Sequence, residues 1–291
     1  MTNKMMNIGI LQSAGVAGDI IATALNHPEH SDIFNPVIYS KENQNDKNVS
    51  NDLKFGNIDA IVVAPGSNTE FTFNGSMNVF VSKTLKLATI LPDVEQDKVE
   101  DSLTANELIS KIRLAWNVVR RDFMVSMPRI AVITAEKQDK NDPNNIFCTS
   151  VNALQDESIM VFGPYTVDEY IEGNYFQNFD ITLALTDNDT QKVLDNTTEE
   201  RVRLLAALPM VMTLTDYPKD CDFSNDCLEL PALALRQAIY LAMTVKRNRT
   251  AYDEAHRNPL PKLYVERRDD SEKVRFAIPK KKSELQHDTA Q

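Results

Sequence analysis

The chain has 291 residues, of which 42% are hydrophobic, and its formal net charge at pH 7 is -11. This apolar content is enough to bury a large core without disulfides or a structural metal, while the negative charge excludes nucleic acid as an expected partner. Because no apolar run approaches the ~20 residues that span a bilayer, and the start lacks a signal-peptide pattern, we expect a cytoplasmic protein with no membrane contact.

Short apolar runs alternate with longer amphipathic stretches along the chain. This pattern is typical of strands that alternate with helices around a mostly parallel sheet buried on both faces. The predicted strands are Asn7–Leu11, Pro36–Tyr39, Ala60–Val63, Leu85–Thr89, Arg129–Thr134, Ile159–Phe162, Ile181–Leu185 and Met210–Leu214. The sequence therefore predicts the α/β class.

Two long helices and one exposed loop are predicted between the strands. Thr104 and Glu107 form a capping-box pair at the start of the first helix, which should end before Pro128. Its predicted buried stripe is Leu108, Ile112, Ala115, Val119 and Phe123. The second helix begins near Pro231, and its stripe is Leu235, Ala238, Ile239, Ala242 and Val245. The polar segment Lys41–Asp52 is predicted to be an exposed loop.

The residues that often carry nucleotide binding or nucleophilic catalysis are sparse. Gly15 and Gly18 follow the first strand, but the full G-x-G-x-x-G pattern is absent, so a structural turn is favoured over a phosphate cradle. The histidines are His27, His30, His256 and His287, and none accompanies a nucleophile motif. The cysteines Cys148, Cys221 and Cys227 lack the spacing of a zinc site.

Carboxylates follow two of the predicted strands. Asp187 and Asp189 come after Ile181–Leu185, and Asp216 is the first of several acids after Met210–Leu214. Ligands bind beyond the carboxyl ends of strands in open α/β sheets. Asp187, Asp189 and Asp216 could hold a hard cation there, although solvated loop acids are the favoured interpretation.

An ordered series of segments resembles the 4-hydroxythreonine-4-phosphate dehydrogenase family, also called PdxA. The matching segments are Ser13–Asp19, Asp59–Pro65, Phe73–Gly75, Leu87–Thr89, Pro128–Val132, Gly163–Asp168 and Leu183–Leu185. They resemble the family's glycine turn, its strand ending in Ala-Pro, the segments that lead to its histidine motifs, and its Gly-Pro-x-x-x-Asp segment. The resemblance covers roughly residues 7 to 250 and depends on this order more than on any single motif.

The resemblance implies a two-lobed α/β/α fold of the isocitrate/isopropylmalate dehydrogenase kind, with a cleft between the lobes. We expect residues 1–72 with 220–278 to form the first lobe, residues 73–219 the second, and residues 279–291 a disordered tail. The family implies a homodimer, a divalent metal bound by three histidines, and NAD as the oxidant of a phosphorylated hydroxy-amino acid, which then loses carbon dioxide.

The sequence departs from the family pattern at the catalytic motifs. The family's Gly-His-Thr-Glu motif corresponds to Gly75-Ser76-Met77-Asn78, and its metal histidines fall near Ile90, near Glu136-Lys137 and at Asp187. The family's cleft arginine falls near Met212 and the histidine of its Ser-Val-Asp-His motif at Tyr217, so only Asp216 is matched there. The remaining cleft candidates are Gly75, Ser76, Asp187, Asp189 and Asp216, and no metal site is expected.

Three functional hypotheses follow from these departures. In the first, the protein is catalytically impaired, or repurposed to bind a small anionic metabolite or a protein partner. In the second, it is an active NAD-dependent dehydrogenase of pyridoxal 5'-phosphate biosynthesis, in which Asp187, Asp189 and Asp216 replace the histidine ligands. In the third, it is a structural or regulatory subunit that dimerises with a complete paralogue from the same cell.

Overall fold

A computed structural model defines most of the chain up to Arg257. The described residues are 5–12, 17–26, 33–39, 46–65, 76–92, 94, 103–138, 145–197, 199–215 and 228–257. Two compact units are distinguished, Met1–Arg249 and Thr250–Gln291, and the first contains every described strand. The described part of the second unit, Thr250–Arg257, is the end of the last helix.

The centre of the fold is a ten-stranded sheet with the strand order β2-β1-β3-β10-β9-β4-β5-β8-β6-β7. The strands are β1 (Met6–Leu11), β2 (Phe34–Tyr39), β3 (Ala60–Val63), β4 (Met77–Val81), β5 (Lys86–Leu91), β6 (Arg129–Thr134), β7 (Met160–Thr166), β8 (Ile181–Thr186), β9 (Val202–Ala206) and β10 (Met212–Thr215). Most of the neighbouring pairs are parallel. The predicted α/β class with a mostly parallel sheet is therefore confirmed.

The strand direction reverses in the middle of the sheet. Strands β2, β1, β3 and β10 are parallel to one another, and so are β5, β8, β6 and β7. Between the two groups, β9 and β4 pair antiparallel with both of their neighbours. The strands of the second group therefore end on the side of the sheet where β4 begins. We call this end of the strands the site edge. The opposite edge, which carries the turn from β4 to β5, is the turn edge.

The described α-helices are α1 (Ala17–Leu25), α2 (Asp46–Phe55), α3 (Ala105–Asp122), α4 (Ile146–Asp156), α5 (Val167–Glu172), α6 (Asp187–Asp195) and α7 (Glu229–Arg257). Among the described residues, no helix combines the length and the apolar character needed to cross a bilayer. The limits expected for the two lobes, and the tail from residue 279, stay predictions.

Several elements match the sequence expectations, and the mismatches have simple physical reasons. Strands β3 and β6 have the predicted bounds, and Thr104 and Glu107 cap α3 as a capping box. Strands β4 and β9 were not predicted, because Asn78 and Arg203 interrupt their apolar runs. The predicted loop Lys41–Asp52 is wrong from Asp46 onwards, where the chain is helical.

Helix α2 forms although most of its residues are polar. Val49 is buried in an apolar cluster with Tyr39, Ile58 and Ile61, and Leu53 packs against the same cluster. Because residues four apart lie on one face of a helix, these two side chains pack one face of α2 against this cluster. The apolar stripe that defines it is too sparse to distinguish from a loop in the sequence.

The main core joins the two long helices to the sheet. The buried side chains that α3 and α7 contribute include Leu108, Ile112, Ala115, Val119, Leu235, Ala238, Ile239, Ala242 and Val245. The predicted stripes of both helices therefore face the core. Trp116 of α3 is partly buried against the same cluster, with the Arg120 guanidinium 4.3 Å from its ring centroid.

A buried ion pair connects α3, α7 and the chain between β9 and β10. Arg249 donates from Nε to Asp122 Oδ1 and from Nη2 to Asp122 Oδ2, each at 2.7 Å. Its Nη1 donates to the carbonyl oxygens of Leu208 at 2.9 Å and Met210 at 2.8 Å. The exposed fractions are 1% for Asp122 and 4% for Arg249. A charge pair this deeply buried is tolerated because its hydrogen-bonding groups have partners.

We expect Asp122→Ala to lower the free energy of unfolding by ~3–5 kcal/mol, because the guanidinium of Arg249 stays buried without its carboxylate. Urea denaturation followed by circular dichroism measures this. The control is Glu157→Ala, which removes the carboxylate from the exposed pair Arg113–Glu157 and should barely move the midpoint. Equal losses for the two variants would contradict the assigned role of the buried pair.

Tyr170 is the centre of an aromatic cluster on one face of the sheet. Its ring contacts those of Tyr175, Phe176 and Phe179, and its hydroxyl lies 2.7 Å from Thr182 Oγ1 of β8. Burial raises the pKa of Tyr170 to about 12, although the hydrogen bond to Thr182 opposes the shift. The phenol is therefore held neutral in the folded protein.

This raised pKa predicts a loss of stability at alkaline pH. The unfolded phenol ionises near pH 10, so its contribution is complete below that pH and is lost as the pH rises to about 12. Between pH 10 and 12, the unmodified protein should lose about 2–3 kcal/mol of unfolding free energy through this residue. We expect Tyr170→Phe not to show this loss. Urea unfolding at a series of pH values tests this, and identical pH dependence in both proteins would refute it.

Candidate functional site

The site edge is formed by the carboxyl ends of β5, β6, β7 and β8. Leu91 of β5 pairs with Thr186 of β8, and Val79 of β4 pairs with Ala88 of β5. The start of β4 and the ends of β5 and β8 are therefore adjacent. Ligands bind beyond the carboxyl ends of strands in open α/β sheets, so this edge is the candidate site.

The structure brings some of the predicted site residues together here. Ser76 immediately precedes β4 and is partly buried, and Asp187 and Asp189 lie in the first turn of α6, which follows β8 directly. Gly75 and Asp216 lie outside the described residues, as does Tyr217. The structure thus places Ser76, Asp187 and Asp189 at one edge, with β5 between the start of β4 and β8.

The favoured interpretation of solvated loop acids is wrong for Asp189. Asp187 is exposed as the first residue of α6, but Asp189 is fully buried. Thr186 and Asp189 form a capping box, in which the amide of Asp189 donates to Thr186 Oγ1 at 3.2 Å and Thr186 Oγ1 donates to Asp189 Oδ2 at 2.9 Å. The Thr186 amide also donates to Asp189 Oδ2, at 3.3 Å.

The two oxygens of the Asp189 carboxylate have different surroundings. Oδ2 holds the start of α6 through Thr186, as described above. Oδ1 is buried and has no hydrogen-bond partner among the described residues. The carboxylate is thus used first to cap the helix, and only Oδ1 remains available to another group.

A chain of buried hydroxyl groups lies behind this capping box. Thr190 donates to the carbonyl oxygen of Thr186 at 3.0 Å, and its hydroxyl lies 2.8 Å from that of Thr89 in β5. Because the single hydroxyl proton of Thr190 is already used, Thr89 is the donor in this second bond. These threonines were not among the predicted site residues, although the spacing of Thr186 and Asp189 is that of a capping box.

The positions aligned with the family's metal histidines do not fit a three-ligand metal site. Ile90 is fully buried and has no ligand atom, while Glu136, Lys137 and Asp187 are exposed. Within the described ranges, no group of three His, Cys, Asp or Glu side chains could hold a metal ion. Asp216 lies outside those ranges, so the acid set of Asp187, Asp189 and Asp216 stays a prediction.

Electrostatics differ between the helix starts at this edge. The first turn of α6 carries Asp187 and Asp189, whereas the first turn of α4 carries no acid. The side chain of Asn145 caps α4 and accepts from the amides of Phe147 at 2.8 Å and Cys148 at 3.4 Å. A helix start carries partial positive charge, and no carboxylate of the first turn of α4 neutralises it.

The other sequence candidates do not join this site. Gly18 belongs to α1, and Gly15 lies outside the described residues, as do His27, His30 and His287. His256 lies in the second compact unit, where its ring stacks on that of Tyr252 at a centroid distance of 4.0 Å. Its Nδ1 lies 2.7 Å from the carbonyl oxygen of the same tyrosine, so a local helix contact accounts for this histidine.

Comparison with known sequences identifies the same family as the segments above. The model of the family "Pyridoxal phosphate biosynthetic protein PdxA" matches residues 64–242, more than half of the chain. A 4-hydroxythreonine-4-phosphate dehydrogenase from Bacteroides thetaiotaomicron is 26% identical over 247 residues, which cover 76% of this chain and 68% of that protein. A Sulfurihydrogenibium protein of the same description is 25% identical over 178 residues, which cover 59% of this chain and 54% of that protein.

Solved structures show the same fold at low sequence identity. A Salmonella typhimurium protein provisionally assigned as a 4-hydroxythreonine-4-phosphate dehydrogenase superposes with a TM-score of 0.66 and 15% identity, covering 83% of this chain and 100% of that one. The isocitrate dehydrogenase of Methylococcus capsulatus superposes with a TM-score of 0.53 and 12% identity, covering 87% and 89%. The predicted likeness to the isocitrate dehydrogenase fold is therefore confirmed.

We expect Asp189→Ala to lower the free energy of unfolding by ~1–2 kcal/mol, because it removes the Oδ2 acceptor from Thr186. The matched control is Asp187→Ala, which changes an exposed residue of the same helical turn and should cost about 0.5 kcal/mol or less. Chemical denaturation distinguishes the two variants. Equal stability of both would contradict the assignment of Asp189 as a buried capping residue.

Proposed function

The chain belongs to the PdxA family of pyridoxal phosphate biosynthetic proteins, and we propose that it is a divergent, catalytically impaired member that binds a small anionic metabolite at the site edge. The observation that carries this proposal is the identity of the residues at the family's metal positions. Ile90 offers no ligand atom, and Glu136 and Asp187 offer carboxylates where the family has imidazoles. Without imidazole ligands, a divalent ion that polarises a hydroxyl group is not retained.

Lys137 and the start of α4 support the choice of an anionic ligand at that part of the site edge, in contrast to the start of α6, which carries Asp187 and Asp189. Lys137 follows β6 and is exposed, and the nearby start of α4 presents partial positive charge that none of its own first-turn side chains neutralises. Gln138, which follows Lys137, is uncharged. It lies beside the start of α4, because Asn145 Nδ2 donates to Gln138 Oε1 at 3.1 Å. In this proposal Lys137 binds the anion and the helix start orients it, with no chemical step.

A second candidate is an active NAD-dependent 4-hydroxythreonine-4-phosphate dehydrogenase with an altered metal site. The buried Asp189 Oδ1 favours it, because it has no partner among the described residues and a cation would satisfy it. Such a site would combine Asp187, Asp189 and Asp216 around a hard cation. Its weakness is that Asp189 Oδ2 is already engaged by Thr186.

Three further features stay proposals. We propose a homodimer, as the family resemblance implies, and a cytoplasmic location. Binding a protein partner in place of a metabolite, or pairing with a complete paralogue, is compatible with the same loss of imidazole ligands. Light scattering and co-purification from the native cell test these proposals.

The proposed function predicts ligand binding without turnover. Inorganic phosphate should raise the melting temperature of the protein by mass action, and Lys137→Ala should reduce this shift. Lys192→Ala, which removes an exposed lysine from the last turn of α6, is the matched control and should not reduce it. Differential scanning fluorimetry measures both effects.

Activity is measured on the same preparations as NADH formation from 4-hydroxythreonine-4-phosphate. We expect none above background with Mg²⁺, Mn²⁺, Co²⁺ or Zn²⁺, because the described residues supply no three-ligand metal site. Turnover that depends on a metal and is lost in Asp187→Ala would reject catalytic impairment and favour the second candidate. An unchanged phosphate shift in Lys137→Ala would reject the anion site.

A further inference from the structure

A cavity of about 440 Å³ opens at the turn edge, at the opposite end of β4 from Ser76. Its walls come from the turn between β4 and β5, the segment that leads into β9, and helix α7. Since β4 has five residues and a strand rises about 3.3 Å per residue, the cavity lies roughly 15 Å from the site edge. It is therefore separate from the candidate site, and its volume is in the range of small-molecule pockets.

The floor of the cavity is apolar and continuous with the core. Val202 of β9 is 4% exposed and belongs to the main core cluster, and Val81 and Leu241 pack against that cluster. Close packing of the core leaves these side chains no room to move inward. They offer a fixed apolar surface to a ligand.

Hydrogen bonds hold the acidic part of the wall in place. Glu199 Oε2 accepts from the Thr84 amide at 3.1 Å and from Thr84 Oγ1 at 2.8 Å. Hydrogen bonds from Ser82 and Thr84 keep the pKa of Glu199 below its usual value, so its carboxylate is ionised at neutral pH. Glu200 also lines the cavity, and its Oε2 accepts a hydrogen bond from Gln237 of α7.

The basic part of the wall is a lysine that makes no hydrogen bond within the described residues. Lys83 is exposed at the tip of the turn, and it lies close enough to Glu199 to help lower the pKa of that carboxyl group. The cavity therefore presents an ammonium group, a carboxylate and an apolar floor within one small volume. These three features are complementary to the carboxylate, the ammonium group and the side chain of an amino acid.

We propose that this cavity binds a free amino acid in its zwitterionic form, with a large apolar side chain. Lys83 binds the ligand's carboxylate, Glu200 binds its ammonium group, and the side chain packs on Val81, Val202 and Leu241. A purely anionic ligand is disfavoured, because Glu199 and Glu200 bring two negative charges to the wall against the single positive charge of Lys83. The site acts independently of any ligand at the site edge.

Isothermal titration of the full chain with L-phenylalanine and L-leucine tests the proposal. We expect saturable binding at one site per chain, and weaker binding of N-acetyl-L-phenylalanine and L-phenylalanine amide, which each lack one of the two charges. Lys83→Met and Glu200→Gln should each weaken binding about tenfold, because each removes one charge-assisted hydrogen bond. Lys192→Met, on α6, is the control and should bind like the unmodified protein.

Circular dichroism melts establish that the variants are folded before they are titrated. Absence of binding by both amino acids to the folded, unmodified protein would overturn the proposal. So would equal affinity for the acetylated or amidated compound, or affinity unchanged in both Lys83→Met and Glu200→Gln. If Leu241→Asn instead dissociates an oligomer and no amino acid binds, the surface is an interface between copies and the proposal fails.

Discussion

The reversal of strand direction at β9 and β4 is the constraint on which the organisation of this protein depends. Because these strands pair antiparallel with their neighbours, the two parallel groups point in opposite directions. The carboxyl ends of β5, β8, β6 and β7 consequently meet at the edge where β4 begins. Ser76 and Asp187 lie more than a hundred positions apart in the sequence. They come to the same site edge only through this arrangement of strands.

The helices are fixed to this sheet by two different kinds of interaction. Apolar stripes of α3 and α7 supply most of the buried surface, and burial of this kind is non-directional. The bidentate pair of Asp122 and Arg249 adds direction, since its donors also reach the carbonyl oxygens of Leu208 and Met210 just before β10. A buried pair with complete hydrogen bonding thus sets where the two helices and β10 meet.

The site edge shows how a scaffold and its chemistry can separate. Its polar side chains serve the fold: Thr186 and Asp189 cap α6, and Thr89 and Thr190 complete a chain of buried hydroxyl groups. A carboxylate engaged in this way is a weaker metal ligand than a free one, because binding through Oδ2 would sacrifice the helix cap. Family membership therefore identifies the fold more firmly than the reaction, which depends on the residues at the site.

The sequence by itself determined the elements whose signals are local. The continuous apolar runs of β3 and β6 and the capping box of Thr104 and Glu107 gave their positions directly, since strand burial and helix capping depend on neighbouring residues. The order of motifs identified the family and hence the isocitrate dehydrogenase-like fold. Asp187 and Asp189 were located correctly at the end of a strand.

Only the tertiary structure decided the features that depend on distant parts of the chain. Strands β4 and β9 contain the polar residues Asn78 and Arg203, and they become strands because neighbours on both sides satisfy their backbone groups. The burial of Asp189 and its separation from exposed Asp187 follow from the packing of α6 beside β5 and β8, which no local pattern encodes. The ion pair of Asp122 and Arg249 joins residues 127 positions apart, so its formation required the whole fold.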